Sequence, residues 1–122
     1  MGEMSEHRSP QEDFWAGEFG TGYIERNVGA DLLAANVHFF ARALRLAGRI
    51  RSCLELGANV GMNLRALAAL YPGIDLRGVE LNAEAARLLG EAIGPERVHV
   101  GSLVDYEPAE PVDLVLVKTV LI

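Results

Sequence analysis

The chain has 122 residues, of which 50% are apolar, and this is enough for one domain with a buried core. Its 11 Lys and Arg residues and 17 Asp and Glu residues give a net charge of −6, which argues against binding to nucleic acid or to an anionic membrane surface. No apolar run reaches the roughly 20 residues that a membrane-spanning helix needs.

The cysteine content and the first residues indicate a cellular compartment. Cys53 is the single cysteine, so no internal disulfide can form, and the chain suits a reducing cytoplasm. Its position inside an apolar run favours a packed core thiol over a nucleophile. The first residues are mostly polar and charged, unlike a signal peptide. We therefore expect a soluble, cytoplasmic protein.

The N-terminal region combines a polar tail with an aromatic cluster. Residues 1–12 are mainly polar, and we expect them to be mobile. The aromatic cluster that follows is interrupted by three glycines, which predict short helical turns rather than one long helix. Its members are Phe14, Trp15, Phe19 and Tyr23. These rings either dock the N-terminal arm on the domain or form a lid over a ligand pocket, and both alternatives stay open.

An amphipathic helix is predicted from about Asp31 to Ala47, with Asp31 as its N-cap and Gly48 as the residue that closes it. Apolar residues recur at helical spacing on one face of this helix. His38 lies among charged residues on the opposite face, which disfavours a catalytic or metal-binding role for it. No metal site is predicted elsewhere.

From residue 51 onwards, short apolar runs alternate with amphipathic segments. The predicted strands are 52–56, 74–80, 98–101 and 112–117, and the predicted helices are 60–70 and 83–93. Strands and helices that alternate at these spacings form right-handed crossovers and a parallel sheet flanked by helices. The sequence therefore predicts an α/β, Rossmann-like fold that is preceded by an N-terminal helical arm.

The first predicted strand leads into a loop with two glycines, Gly57 and Gly61, and then into a helix. Such a turn brings backbone N–H groups to a small polar ligand at the carboxyl edge of a parallel sheet. Asn59, between the glycines, tolerates a left-handed backbone. Glu55 ends a buried strand, where a carboxylate needs a partner. That partner is a cationic ligand group, the loop itself, or both.

Three further side chains are predicted to reach the same edge of the sheet. Glu80 ends the second strand about 20 residues after the glycine turn, where nucleotide-binding sheets hold a ribose diol. Ser102 follows the third strand and is a weak signal, because serine is common there. Lys118 follows the fourth strand, and a solvent-facing position is an equal alternative for it.

These motifs resemble the cofactor core of Rossmann-like S-adenosylmethionine-dependent methyltransferases. The resemblance rests on residues 55–61, Glu80 and residues 113–118. More narrowly, the chain resembles the methylases associated with pseudaminic acid biosynthesis, and this resemblance covers almost all of it from Phe14. The segments that carry it are 14–27, 33–36, 54–59, 78–82 and 117–122.

The resemblance implies methyl transfer from S-adenosylmethionine to a small acceptor, such as a nonulosonic sugar or its nucleotide. By the family pattern, the glycine loop lines the methionine part, Glu80 holds the ribose hydroxyls, and Ser102 and Leu103 flank the adenine. Asn59 stands where many methyltransferases have a glycine, and Ser102 where Asp is common. The residues implied in cofactor binding are Glu55, Gly57, Ala58, Asn59, Gly61, Glu80, Leu81, Ser102, Leu103 and Lys118.

The extent of the chain bears on this interpretation. The methyltransferase fold has seven strands, and four are predicted here, the last inside an almost wholly apolar run at 114–122. We expect residues 1–122 to be a single, incomplete domain from a longer protein. Residues 1–50 would form the arm and first helix, and residues 51–122 the cofactor-binding half. The methyl acceptor, a general base and the oligomeric state are not indicated.

Two other functions compete with this interpretation. A nicotinamide-dependent oxidoreductase needs a G-x-G-x-x-G loop, and Asn59 and Met62 replace two of its glycines. A truncated, inactive remnant or an interaction module is the second alternative, because a sheet without its later strands exposes an unpaired edge. The favoured function is a methyltransferase with a small-molecule partner and neither nucleic acid nor membrane.

Overall fold

The computed structural model describes residues 9–17 and 29–118. Four α-helices lie within these ranges: α1 (Pro10–Ala16), α2 (Ala30–Ala43), α3 (Met62–Leu70) and α4 (Ala83–Ile93). The four strands are β1 (Ser52–Leu56), β2 (Asp75–Glu80), β3 (Val98–Val100) and β4 (Leu114–Val117), and a short 3-10 turn (Pro95–Arg97) precedes β3. In this part of the chain, no helix is both long and apolar enough to cross a membrane.

The four strands form one parallel sheet in the order β3-β2-β1-β4. The predicted α/β architecture is therefore confirmed. The chain moves from β1 through β2 to β3 in one direction and then places β4 on the other side of β1. The strand order reverses between β1 and β4, and such a reversal is where open α/β sheets bind ligands. Glu55 of β1 pairs with Gly78 of β2 and with Leu116 of β4.

Several element boundaries differ from the sequence-based prediction, although β1 and α4 have the predicted bounds. Helix α2 begins at Ala30 after Gly29, whose φ is 127° and which makes no side-chain cap, so the prediction of Asp31 as N-cap is wrong. The helix ends at Ala43 rather than at Ala47. A turn follows in which the Ala47 N–H donates to the Leu44 carbonyl, and Gly48 therefore does not close the helix.

The expected mobility of residues 1–12 is wrong for its described part, because α1 begins at Pro10. The Ser9 hydroxyl accepts from the Glu12 N–H at 3.1 Å, and the Glu12 carboxylate accepts from the Ser9 N–H at 3.0 Å. This reciprocal pair is a capping box, and Pro10 fits the first helical position because its missing N–H would have no partner there. The pattern Ser-Pro-x-Glu carried this signal in the sequence.

The main hydrophobic core contains side chains from α2, β1, α3, β2 and α4. Its buried members are Phe40, Cys53, Ala58, Leu64, Ala66, Leu67, Leu76 and Leu89. Cys53 is fully buried, and burial, followed by the nearby Glu55 carboxyl, raises the pKa of its thiol to about 12. The prediction of a packed core thiol is therefore confirmed, because a thiol with this pKa is not a nucleophile at neutral pH.

Replacing Gly61 with alanine tests how tightly the glycine loop packs on α4. Gly61 has a φ of 90°, and an added Cβ would lie 2.7 Å from Cδ1 of the fully buried Leu89. Gly73 is a matched control, because its φ is 81° and nothing lies within 4 Å of its Cβ position. We expect Gly73→Ala to cost about 1 kcal/mol through backbone strain alone. Gly61→Ala should cost about 1–3 kcal/mol more, because it also overpacks the core.

Urea denaturation of both variants measures this difference. Equal free energies of unfolding for Gly61→Ala and Gly73→Ala would show that the loop has room for the methyl group.

Candidate functional site

The loop after β1 takes a backbone path that requires left-handed residues. Gly57, Asn59 and Gly61 have φ angles of 75°, 53° and 90°. Among the described residues, Asn59 is the only non-glycine with a positive φ, and the prediction that it tolerates this region is confirmed. The chain thereby turns from the end of β1 into the start of α3 within five residues.

Four backbone N–H groups of this loop donate within the protein. Those of Gly57 and Ala58 both reach the Val79 carbonyl of β2, at 2.9 and 3.0 Å. The Asn59 N–H reaches Oε1 of Glu80 at 2.6 Å, and the Gly61 N–H reaches the Ala58 carbonyl at 3.0 Å. These bonds hold the loop against β2. A ligand would therefore contact the surface of the loop and the neighbouring carboxylates, because these four N–H groups already have acceptors.

Glu80 joins the loop after β1 to the turn after β2. Its Oε1 accepts from the Asn59 N–H, and its Oε2 accepts from the Asn82 N–H at 2.8 Å. Burial raises the pKa of Glu80, and the backbone N–H groups of Asn82, Asn59 and Leu81 oppose that rise. A carboxylate oxygen can accept two hydrogen bonds, so both oxygens keep capacity for a ligand hydroxyl. We call this arrangement of Glu80, Asn59 and Asn82 the carboxylate bridge.

Glu55 is 1% exposed and is the most deeply buried acid of the site. Its Oε2 accepts from Nδ2 of Asn63 at 2.7 Å, while its Oε1 is buried without any hydrogen-bond partner. Burial raises the pKa of Glu55 to about 8, the Asn63 hydrogen bond and the positive charge of Lys118 oppose the rise, and Glu80 adds to it. A buried oxygen without a partner is costly, so Oε1 is suited to a donor that comes from a ligand.

Two asparagines that the sequence analysis did not assign to the site support Glu55. Asn36 of α2, which is 6% exposed, donates through Nδ2 to Oδ1 of Asn63 at 3.0 Å. Asn63 lies in the first turn of α3 and donates in turn to Glu55. Asn36 borders the apolar face of its helix, and a buried amide at such a position was the available signal.

Lys118 follows β4 and lies on the same side of the site as Glu55. Its Nζ is 5.4 Å from the centre of the Phe39 ring on α2, within the range of a cation–π interaction. Its charge favours the ionised form of Glu55, which places it near that carboxyl. The residue is half-buried, and its role in a site stays a prediction.

Ser102 lies beyond the end of β3, beside the carboxylate bridge. The Gly101 N–H donates to the Glu80 carbonyl at 3.0 Å, which sets the two chain segments side by side. The Ser102 side chain is buried, and its hydroxyl accepts from the Val104 N–H at 3.1 Å. Its oxygen thus stabilises a turn. Leu81 and Leu103 are half-buried, and Ala58 is buried.

The predicted aromatic lid is only partly described. Nδ2 of Asn82 donates to the Ala16 carbonyl at 3.3 Å, so the end of α1 contacts the turn next to Glu80. The contact joins the arm to the domain through a backbone carbonyl and an amide, and it involves none of the aromatic rings. Phe14 is 52% exposed. The side chain of Trp15 and the residues Phe19 and Tyr23 lie outside the described part, and the lid stays a prediction.

The strand order and the glycine loop between β1 and α3 identify the fold. The sheet is the first part of the Rossmann-like fold that methyltransferases use, with its ligand edge at the reversal between β1 and β4. The predicted fold is therefore confirmed. No group of three or more potential metal ligands occurs within residues 9–17 and 29–118.

Comparisons with known proteins agree on this fold. No family model and no curated protein sequence matches the chain, whereas 107 chains of solved structures match it. One is the sugar N-methyltransferase KedS8 from a Streptoalloteichus species, which has 25% identity, a TM-score of 0.64, and alignment over 85% of this chain and 40% of that one.

Two further neighbours were crystallised with cofactor or product. A methyltransferase from Thiobacillus denitrificans, in complex with S-adenosyl-L-homocysteine, is 25% identical over 70% of this chain and 36% of its own, with a TM-score of 0.54. The amino pentose methyltransferase CalS10 from Micromonospora echinaspora, bound to S-adenosylmethionine, is 20% identical over 82% of this chain and 41% of its own, with a TM-score of 0.53. At this identity, the likeness shows the fold alone. The chain spans less than half the length of each neighbour.

The stability of the protein should depend on the proton of Glu55. Its pKa is about 8 in the folded chain and near 4.5 when exposed. Between these values the folded state keeps a proton that the unfolded state has lost, so the free energy of unfolding falls as pH rises, by up to about 1.4 kcal/mol per unit. The raised pKa of Glu80 also makes stability fall as pH rises. Comparing the wild type with Glu55→Gln isolates the contribution of Glu55, because both proteins contain Glu80.

Denaturant unfolding between pH 5 and pH 9 measures the effect. The stability of Glu55→Gln relative to the wild type should grow up to about pH 8 and then become constant. A difference that does not change with pH would mean that Glu55 is ionised in the folded protein.

Proposed function

We propose that the chain is the cofactor-binding part of an S-adenosylmethionine-dependent methyltransferase that acts on a small molecule. The observation that carries this proposal is the unpartnered Oε1 of Glu55, buried at the end of the central strand β1. S-adenosylmethionine carries an ammonium and a sulfonium group, and a buried carboxylate attracts such cations. The two neighbours with 25% identity, both methyltransferases, support the same conclusion.

The residues at the sheet edge fit this cofactor. Oε1 of Glu55 would accept from the ammonium group, and the loop Gly57, Ala58, Asn59 and Gly61 would line the methionine part. The carboxylate bridge would accept from the ribose hydroxyls through the remaining capacity of Glu80, whose two oxygens already accept from backbone N–H groups. The adenine would be surrounded by Leu81, Ser102 and Leu103. Lys118 would lie near the carboxylate group of the cofactor's methionine part.

Positioning is the main contribution that these residues make to the reaction. The cofactor supplies an activated methyl group, so the protein has to hold it in line with an acceptor nucleophile. Glu55 and Glu80 fix two ends of the cofactor from neighbouring strands. No residue is assigned as a general base, because Glu55 is committed to the cofactor and the position of Lys118 suits binding.

The acceptor is proposed to be a sugar or a sugar nucleotide, and more narrowly a nonulosonic sugar of the pseudaminic acid type. The sugar N-methyltransferase among the structural neighbours supports the wider class, and the sequence resemblance supports the narrower one. Mass spectrometry of candidate sugar nucleotides incubated with the protein and S-adenosylmethionine tests both. A mass gain of one methyl group on another substrate class would exclude the sugar proposal.

The extent of the domain and its location are part of the proposal. Residues 1–50 and 51–122 would form one domain, which is incomplete relative to neighbours more than twice as long. The buried, free thiol of Cys53 supports a reducing cytoplasm. A nicotinamide cofactor is less well supported, because Asn59 and Met62 replace glycines of that loop. Calorimetric titration with NADH and with S-adenosylhomocysteine separates the two.

An interaction module without catalysis is a second candidate. The edge strand β4 carries two valines, Val115 and Val117, that are 55% and 44% exposed in this chain. Exposed apolar residues on an edge strand are typical of a surface that another polypeptide covers. Binding of S-adenosylhomocysteine without any methyl transfer, in the presence of a broad set of acceptors, would favour this function.

Replacing Glu80 with alanine should weaken the binding of S-adenosylhomocysteine by about 1–3 kcal/mol, because the ribose hydroxyls lose their acceptor. Glu84→Ala is a matched control, since this acid lies four residues further along and is paired with Arg87 on the surface. Isothermal titration calorimetry measures both affinities, and circular dichroism checks the fold. An unchanged affinity in a folded Glu80→Ala protein would remove Glu80 from the site.

The affinity for S-adenosylhomocysteine should rise with pH. Glu55 is protonated below its pKa of about 8, and a ligand ammonium binds the ionised form better. Between pH 6 and pH 8 we expect an increase of up to about tenfold per unit, as for the loss of one proton. Glu55→Gln should lack this dependence, and any pH effect that remains in it belongs to the ligand or to Glu80, whose pKa is also raised. Parallel slopes for the two proteins would contradict the role of Glu55.

A further inference from the structure

A chain of amide hydrogen bonds connects α2 to the buried acid of the site. It runs from Nδ2 of Asn36 to Oδ1 of Asn63 at 3.0 Å, and from Nδ2 of Asn63 to Oε2 of Glu55 at 2.7 Å. The three residues come from α2, α3 and β1, and 27 and 8 positions separate the partners along the sequence. The contact is therefore a product of the tertiary fold.

We propose that Asn36 and Asn63 are positioning residues, which orient Glu55 and favour its ionised form for the cationic end of the ligand. This inference rests on the proposed function for the nature of the ligand. The hydrogen-bond chain itself stands on the geometry of the ligand-free protein.

The direction of the hydrogen bonds is set at the Glu55 end, because an ionised carboxylate can only accept. Oε2 of Glu55 accepts, so Asn63 has to turn its NH2 group towards it. The Asn63 oxygen then points away from Glu55 and meets the NH2 group of Asn36. Without that donor, the Asn63 amide could rotate and present its oxygen to Glu55, an arrangement that favours the protonated acid. Asn36 thus controls the charge of an acid that it does not touch.

The other titratable groups around Glu55 act in both directions. Lys118, after β4, favours the ionised form, while Glu80, at the end of β2, opposes it. The thiol of Cys53 in the same strand is neutral at physiological pH, because its pKa is raised to about 12. From α3, the contact is the amide of Asn63. Helix α2 therefore influences Glu55 twice, through Asn36 and through Phe39, whose ring meets the Lys118 ammonium.

Fixing Oε2 also selects which oxygen meets the ligand. Oε2 is occupied by Asn63, and Oε1 is the acceptor that is left. A carboxylate with one oxygen held has a defined orientation, so the ligand cation meets it without a loss of side-chain freedom on binding. The two amides therefore contribute to affinity without touching the ligand.

The test measures the pKa of Glu55 directly, by the carboxyl 13C chemical shift of labelled Glu in the ligand-free protein. In Asn36→Leu, which removes the donor and keeps the volume, we expect this pKa to rise by about half a unit to one unit, a three- to tenfold change in the dissociation constant. Asn63→Leu should raise it more. His38→Ala, on the exposed face of the same helix, is the control and should leave it unchanged.

A double-mutant cycle separates positioning from a general packing effect. Because Asn36 acts through Asn63, the double variant should have the same Glu55 pKa as Asn63→Leu alone. An unchanged pKa in a folded Asn36→Leu protein, or additive shifts in the double variant, would overturn the proposal. Asn36→Ala replaces Asn36→Leu in the cycle if the leucine variant does not fold.

Calorimetric titration of the same variants with S-adenosylhomocysteine connects the inference to the ligand. At pH 7, Asn36→Leu should bind about three- to tenfold more weakly than the wild type, and the difference should shrink as Glu55 ionises at higher pH. A wild-type protein that does not bind this ligand would contradict the proposed function, whereas the carboxyl titration would still decide the role of Asn36. Equal affinities of wild type and Asn36→Leu at pH 7 would contradict positioning.

Discussion

The two hydrogen bonds from backbone N–H groups to the Glu80 carboxylate are the interaction on which the site depends. One N–H comes from the loop after β1 and the other from the turn after β2, so a single side chain sets the distance between them. The N–H groups of Gly57 and Ala58, which both donate to the Val79 carbonyl, also connect the loop to β2. Asn59 needs this support, because a left-handed backbone is unfavourable for a residue with a side chain.

The two acids at this edge have opposite hydrogen-bond environments. Glu80 has a donor on each oxygen, whereas Glu55 has one oxygen bound and one buried without a partner. Backbone N–H groups stabilise a charge without titrating, so they oppose the rise that burial causes in the pKa of Glu80. Glu55 relies on one amide and on a lysine that follows the neighbouring strand. The structure therefore holds Glu80 in place, whereas Glu55 keeps a buried oxygen that a positive group would stabilise.

The sequence predicted the sheet, the glycine loop and its acids because each leaves a local signal. Alternating apolar runs indicated the strands. Gly57 and Asn59 indicated the loop, because glycine and asparagine tolerate positive φ angles best. Asn36 had one local signal, an amide beside the apolar face of its helix, but nothing local indicated Asn63 as its partner, since the two meet only after α2 packs on α3. The start of α2 was misjudged because Asp31 is a good cap by composition, whereas Gly29 takes that position through its backbone. Tertiary contacts and backbone conformation, rather than local propensity, therefore determine the Asn36–Asn63 contact and the start of α2.

The hydrogen bond between Asn82 and the Ala16 carbonyl joins the arm to the turn that holds Glu80. Asn82 also caps α4 through its bond to the Ala85 N–H, and its own N–H holds Glu80. A ligand that binds at Glu80 more tightly when α1 is docked must, by linkage, stabilise docking by the same free energy. Any coupling between the helix that begins at the Ser9 capping box and a ligand at Glu80 therefore passes through the side chain and the N–H of Asn82.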